Sequence, residues 1–254
     1  MYAVNAALLA SPAVKASPDG SGAPSAEKRR YVREMFSAIA PTYDLLNHLL
    51  SVNIDRSWRE HAVAQLRWEA RPGGRYLDAC AGTLDFAATL LTRPGFRGSV
   101  VGADFALPML RRGAGKANGR VLRAGSDALE LPFKEGTFDG ATVGFGVRNL
   151  TDLDAGLVEL RRVLRNGARL VILDFTTPAF APMRALYLFY FRRVLPFVGR
   201  LVSGHPTAYD YLPSSVMEFP SPPVLEVRMV RAGFRECGHQ LLTGGIAAVH
   251  WGER

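Results

Sequence analysis

From Gly74 onward, the chain alternates between two hydrophobic periods. Short apolar runs rich in Val, Ile, Leu and Phe are separated by stretches whose apolar positions recur every three or four residues. This pattern predicts strands at Arg75–Cys80, Ser99–Phe105, Arg120–Ala124, Phe138–Gly144, Ala168–Phe175, Arg235–Thr243 and Ile246–Trp251. Helices are predicted between them at about Leu84–Thr92, Leu107–Ala117, Leu153–Leu164 and Pro223–Ala232. Strands that alternate with helices imply an α/β fold, with a parallel sheet covered on both faces. Little more than Gly244-Gly245 joins the last two strands, too short for a crossover, so the final strand must run antiparallel.

Two segments fall outside this alternation. Ahead of the first strand, Lys28–Ala40 has helical spacing, with Tyr31, Val32, Met35, Phe36 and Ile39 on one side. Pro41 interrupts it, T-Y-D-L-L-N-H-L-L starts another short helix, and a third helix is predicted over Ser57–Trp68. Residues 1–27 are rich in Ala, Ser, Pro and Gly with little charge, which predicts a disordered extension before a single domain over 28–254. The apolar run Ala6–Ala10 is short and lacks a positive flank, so a signal peptide is not expected. The second segment, residues 176–222, interrupts the domain before its last helix, as a lid or substrate-binding element would. It contains M-R-A-L-Y-L-F-Y-F-R-R-V-L-P-F-V-G-R-L-V, whose arginines and proline argue against a membrane span. A basic, apolar helix of this kind suits a membrane surface or an apolar substrate pocket; a buried lid helix with outward arginines fits equally.

Composition narrows the picture modestly. At 254 residues and 48% apolar content, one α/β core is expected. Cys80 and Cys237 make no disulfide framework, which points to a reducing cytoplasm, and the histidines lack metal-ligand spacing, so no metal is expected. The net charge of +8 is spread along the sequence without a nucleic-acid-binding motif.

The densest chemistry lies in Tyr76–Phe86, Y-L-D-A-C-A-G-T-L-D-F, a strand, a tight turn at Gly82 and a helix start. The next strand ends on Asp104, at the distance where a Rossmann-like unit places its ribose-binding acid. A dinucleotide would need several glycines near its pyrophosphate. Here one glycine stands between two carboxylates, Asp78 and Asp85, which would repel a pyrophosphate but favour the sulfonium and ammonium of S-adenosylmethionine (SAM). A plain strand–turn–helix capped by Thr83 is the simpler alternative.

The chain resembles the quinone-ring C-methyltransferases of the demethylmenaquinone and ubiquinone pathways over about residues 28–254. The resemblance rests on F-S-A-I-A-P-T-Y-D-L-L-N-H-L-L-S, the D-A-C-A-G-T-L-D turn, L-P-F-K-E-G-T-F-D, F-G-V-R-N-L, Y-D-Y-L-P-S-S and T-G-G-I-A-A-V-H-W-G. It implies a class I, Rossmann-like methyltransferase fold, with a seven-stranded, mostly parallel sheet, a helical leader and a helical insert. It also implies SAM as cofactor, with Thr83 at the methionine end, Asp104 on the ribose, and Asp127 with Ala128 at the adenine, Asp78 and Gly82 shaping the turn. Leu84 stands where the family usually has a small residue, and is expected to tighten the cofactor pocket. Asp127 replaces an expected asparagine.

Methylating a ring carbon requires a hydroquinone that loses a proton. Arg148 is expected to pair with the resulting phenolate or to polarise a water acting as base, with Asn149 orienting it; arginine itself is too basic to be the base. Asp174 ends a strand on the correct edge, and Tyr43, Tyr209 and His250 are carried over as substrate-side residues from matching segments. His250 alternates with apolar neighbours, which suits a structural histidine better than a catalytic one. The resemblance points to a polyprenylated hydroquinone as substrate, demethylmenaquinol first and the ubiquinone-pathway benzoquinol second, and to a cytoplasmic protein on the inner face of the membrane. A non-catalytic SAM-binding partner of a quinone-synthesis complex is the rival from another class, and homo-oligomerisation is left open.

Overall fold

The computed structural model describes residues 23–41, 43, 53–117, 119–194 and 208–254. Its centre is a seven-stranded sheet in the order β3-β2-β1-β4-β5-β7-β6. The strands are β1 (Arg75–Ala79), β2 (Ser99–Asp104), β3 (Val121–Gly125), β4 (Phe138–Gly144), β5 (Leu164–Phe175), β6 (Arg235–Leu242) and β7 (Ala247–Glu253). All pairings are parallel except those of β7, which lies antiparallel between β5 and β6. The short turn Thr243–Gly245 makes this hairpin, as its length requires. β5 begins four residues before the predicted Ala168, because α5 (Leu153–Val163) runs directly into it and Leu164 already pairs with Phe138.

Parallel central strands are buried on both faces and read as continuous apolar runs, which is why β5 is buried from Ala168 to Asp174. One face packs Phe138, Leu170 and Ile172 against Leu157 and Leu160 of α5 and Leu225 and Met229 of α8 (Pro222–Arg231). The other packs Val171, Leu173 and Val249 with Trp58 and Val63 of α2 (Ile54–Gln65) and Phe86 and Leu90 of α3 (Asp85–Leu91). α4 (Leu107–Gly113) follows β2 and is shorter than predicted.

The leader and the insert meet above one edge of the sheet. Leader helix α1 (Ala23–Ile39) starts ahead of the predicted Lys28. Its Met35 and Ile39 pack with Tyr187 and Phe191, which belong to α6 (Ala181–Phe189) and the π-helical turn after it, and with Val216 of α7 (Ala208–Glu218). The predicted helix at T-Y-D-L-L-N-H-L-L lies outside the described residues apart from Tyr43, as does the second half of the long apolar insert segment.

Leu84 overturns one expectation. Its backbone is left-handed, with φ 65°, and its side chain is wholly buried in the core over Gly102 of β2. A Cβ on Gly102 would come within 2.3 Å of Leu84 Cδ2, so the two residues fit only as a pair. Leu84 therefore fills space behind the turn and does not narrow the cofactor pocket. Leu84→Ala should lower unfolding free energy by about 2–5 kcal/mol, the cost of an emptied leucine site. Calorimetric titration should find SAM affinity within threefold of the parent; a larger loss would return Leu84 to the pocket.

Candidate active site

The carboxyl ends of β1, β2 and β4 surround a cleft of about 680 Å³, open mouth included. Open α/β sheets bind ligands at this edge. Three non-glycine residues next to it have positive φ: Cys80 (51°), Leu84 (65°) and Phe145 (56°). Each takes a conformation that L-residues avoid, so the strand ends turn sharply and strain gathers at the cleft.

Gly82, with φ 50°, sits at the turn and donates its backbone N–H to Asp104 Oδ2 at 2.8 Å. The Ala106 N–H is donated to Asp104 Oδ1, also at 2.8 Å. Each carboxylate oxygen keeps a further lone pair, enough for a pair of ribose hydroxyls. Burial drives the Asp104 carboxyl up to about 6, partly offset by these backbone N–H groups. Asp127 lies across the cleft, where its Oδ1 accepts the Leu129 N–H at 2.9 Å and its Oδ2 meets Arg29 Nε of α1 at 2.9 Å. Next to it, the buried Ser126 hydroxyl lines the cleft with no partner among the described residues. An acceptor pair at Asp104, a carboxylate at Asp127 and an unmet hydroxyl between apolar walls fit the ribose and adenine of SAM.

Of the residues expected from sequence, Gly82, Asp104, Asp127, Ala128, Tyr43 and Asn149 line this cleft. Others stand elsewhere. Asp78 is buried behind the turn, where it accepts the Ala87 N–H at 3.1 Å and the Thr142 hydroxyl at 3.3 Å. It ties the first turn of α3 to β1 and β4, and burial pushes its carboxyl well above the usual range. Thr83 is also buried outside the cleft wall; its hydroxyl accepts from Lys116 Nζ at 2.9 Å. Lys116 reaches Asp85 as well, at 2.7 Å, with Arg59 at 3.5 Å on the other side. The expectation that Asp85 would face a cofactor cation fails, because the protein supplies those cations itself.

His250 is placed far from the cleft. It pairs with Ile172 in mid-sheet, is almost fully buried, and its Nε2 lies 3.3 Å from Pro222 O. Burial and the neighbouring His239 push its ring down to about 4, so it is neutral at physiological pH. This placement makes it a packed structural residue, not a substrate-side one. Tyr209 lies in α7, and its side chain is outside the described residues.

Behind Asn149 and Phe145, the turn Val147–Asn149 brings Arg148 against Asp174, the penultimate residue of β5. Arg148 Nη1 donates to Asp174 Oδ1 and to Phe145 O, both at 2.6 Å, with the two side chains 6% and 1% exposed. Asn149 Nδ2 donates to the same Phe145 carbonyl at 3.2 Å. The guanidinium lies 6.0 Å from the Phe145 ring centre and 5.5 Å from that of Phe175. Burial raises the Asp174 carboxyl, and Arg148 pulls it back down. Asp174 Oδ2, Arg148 Nε and Asn149 Oδ1 are buried without partners among the described residues.

Several contributors carried no sequence signal strong enough to single them out. Phe105 and Met109 line the cleft, yet in sequence they read as a strand end and a helix-face methionine. Arg29 was one of several leader cations, and only the fold brings it to Asp127. Of all these, Phe105 alone had a usable cue, since it directly follows Asp104.

If Asp104 holds the ribose as a carboxylate, its protonation opposes binding. SAM affinity should be flat above pH 7 and weaken below about 6, being about tenfold poorer at pH 5 than at pH 8 for one linked proton. Titration calorimetry across this range checks it; pH-independent affinity would show that Asp104 is not a charged ligand.

The model of the ubiE/COQ5 methyltransferase family matches residues 24–254. A demethylmenaquinone methyltransferase of Thermus thermophilus is 50% identical over 87% of this chain and 100% of its own length. A ubiquinone/menaquinone biosynthesis C-methyltransferase UbiE of Geotalea uraniireducens is 44% identical over 90% of this chain and 98% of its own. Among solved structures, a possible histamine N-methyltransferase from Thermotoga maritima has a TM-score of 0.60 at 19% identity, covering 87% of this chain and 98% of its own. The [4+2]-cyclase SpnF reaches a TM-score of 0.65 at 14% identity, over 88% and 95%. These last two share the class I methyltransferase fold only. With this match over nearly all of the described residues, the protein is a SAM-dependent methyltransferase and belongs to the ubiE/COQ5 family.

Proposed function

We propose that this enzyme methylates a ring carbon of a polyprenylated hydroquinone, with demethylmenaquinol as the preferred substrate. The observation that carries this reading is the buried Arg148–Asp174 pair behind the cleft residues Phe145 and Asn149, with the second carboxylate oxygen unpaired among the described residues. Bound SAM would lie against Gly82, Asp104, Asp127 and Ala128 and supply an electrophilic methyl group. Asp174 Oδ2 takes the proton of a ring hydroxyl, which places electron density on the ring carbon that is to be methylated. Burial makes Asp174 a stronger base than an ordinary aspartate, while Arg148 holds it ionised. The same guanidinium then balances the phenolate. Phe145 and Phe175 close the site with apolar walls, suited to an aromatic ring and unsuited to water.

The relative named a demethylmenaquinone methyltransferase, at 50% identity, favours the naphthoquinol over the benzoquinol. The outer face of α6 supports a docking role at a membrane. Phe180, Leu186 and Phe189 are 70%, 65% and 61% exposed, with Arg184 and Arg193 also in solvent. Apolar side chains flanked by arginines suit an anionic bilayer surface, where a polyprenyl tail resides. Among the described residues, no helix is long and apolar enough to cross a membrane.

The test is methyl transfer from labelled SAM to reduced short-tail demethylmenaquinone, beside the matching benzoquinol. Label should enter the naphthoquinol ring carbon with a kcat/KM about tenfold higher than the benzoquinol, the ratio for about 1.4 kcal/mol of discrimination. SAM binding with transfer to neither ring would overturn the reading. Leu186→Glu with Phe189→Glu should abolish sedimentation with anionic vesicles and spare short-tail turnover; unchanged sedimentation would remove α6 as the docking surface.

A further inference from the structure

Leader helix α1 is held in two different ways along its length. Its first described turns are exposed and charged, and Lys28 and Arg29 reach two separate segments of the cleft wall. Arg29 Nε meets Asp127 Oδ2 at 2.9 Å in the loop after β3, and Lys28 Nζ donates to Leu150 O at 3.4 Å after β4. Arg29, Asp127 and Leu150 all line the cleft, and so does Phe36, two helical turns further along α1. The last turns are buried instead, with Met35 and Ile39 packed against the insert.

The Arg29 side chain is 50% exposed and that of Asp127 22%, so their pair sits in water, is weak, and is readily screened by salt. Parting the first turns of α1 from the cleft therefore costs little, while the buried end stays in place. Asp127 would serve adenine without its charge. Its Oδ1 accepts the Leu129 N–H at 2.9 Å, and an asparagine, the residue expected here from the motif, could accept that N–H and an adenine amine through its amide oxygen. What aspartate adds is a negative charge, and Arg29 meets it. A carboxylate oxygen that accepts from Arg29 keeps a second lone pair, so the ion pair and an adenine amine can share Oδ2.

We propose that Arg29 is a cofactor-positioning residue, which pairs with Asp127 to fasten the leader against the cleft and slow the exchange of bound SAM. The proposal rests on the reading that places SAM against Asp127. With the pair formed, α1 keeps Arg29 and Phe36 in the cleft wall at the adenine end. The product S-adenosylhomocysteine leaves after the pair opens. Arg29 acts through Asp127, on cofactor residence and not on the methyl-transfer step. The leader thereby gains a role distinct from its packing against the insert.

S-adenosylhomocysteine carries no net charge, so salt acts on its dissociation mainly through the protein. Its off-rate from immobilised enzyme, read by surface plasmon resonance, should rise about two- to fivefold from about 50 to about 500 mM salt, the worth of an exposed ion pair. Arg29→Ala and Asp127→Asn should each show the raised rate at low salt and lose the salt dependence. The double variant should be no faster than Asp127→Asn alone, because both changes remove the same interaction. Arg29→Lys, which keeps the charge, should keep the salt dependence. An unchanged off-rate in Arg29→Ala, or effects that add in the double variant, would overturn the proposal, even if thermal stability falls. Asp127→Ala tests the placement of adenine separately, and should weaken S-adenosylhomocysteine binding about tenfold or more. Parent-like affinity in that variant would overturn the placement itself. Weakened affinity there, with an off-rate indifferent to Arg29, would overturn the role of Arg29 alone.

Discussion

Asp174 is withdrawn from water at the end of a central strand, and in this fold Arg148 supplies its counter-charge. The pair depends on the sheet. β4 and β5 are parallel neighbours in register Gly144 to Leu173, so the turn leaving β4 comes up beside the end of β5. Phe145 donates its N–H to Leu173 O at 2.7 Å and takes positive φ, which turns its own carbonyl toward Arg148 and Asn149. Removing either charge would leave the other buried and unpaired, at a cost of about 3–5 kcal/mol. A buried ion pair is a poor way to gain stability, and burying hydrophobic side chains would serve better. Its presence beside the cleft suits a chemical role, in which one oxygen of Asp174 is held by arginine and the other has no partner among the described residues.

The rest of the edge is arranged around the same constraint. Asp104 and Asp127 face the cleft, fixed by backbone N–H groups and, for Asp127, one leader arginine. The leader and the insert close over the Arg148 side with Met35, Ile39, Tyr187, Phe191 and Val216. The sheet thus supplies the cleft-facing carboxylates and the ion pair, while helices outside the α/β repeat pack aromatic and apolar side chains over it.

The alternation of apolar runs made the sheet legible, including the antiparallel last strand, because a Gly-Gly connection admits no crossover. Asp104 was legible too, since its distance from Gly82 follows from the repeat of strand, turn and helix. Charge partners were not. Nothing in the sequence places Lys116 and Arg59 on Asp85, or buries His250 in mid-sheet over Pro222. Leu84 misled for a related reason: its position beside the cofactor turn suggested a pocket residue, and its left-handed backbone sends the side chain into the core. Among the aromatics of the insert, only packing separates Tyr187 and Phe191, buried against the leader, from Phe180 and Phe189, which face solvent.

The central claim is that Asp174, held by Arg148, is the base. Its most direct test is the pH dependence of kcat at saturating SAM and quinol, which removes the effect of Asp104 on cofactor binding. Because the base must be ionised, kcat should fall on the acid side, through a midpoint above the ordinary carboxylate range, and Asp174→Asn should lose about 10²–10⁴ in kcat together with that limb. A kcat independent of pH from about 5 to 9, or the same acid limb retained in Asp174→Asn, would contradict it.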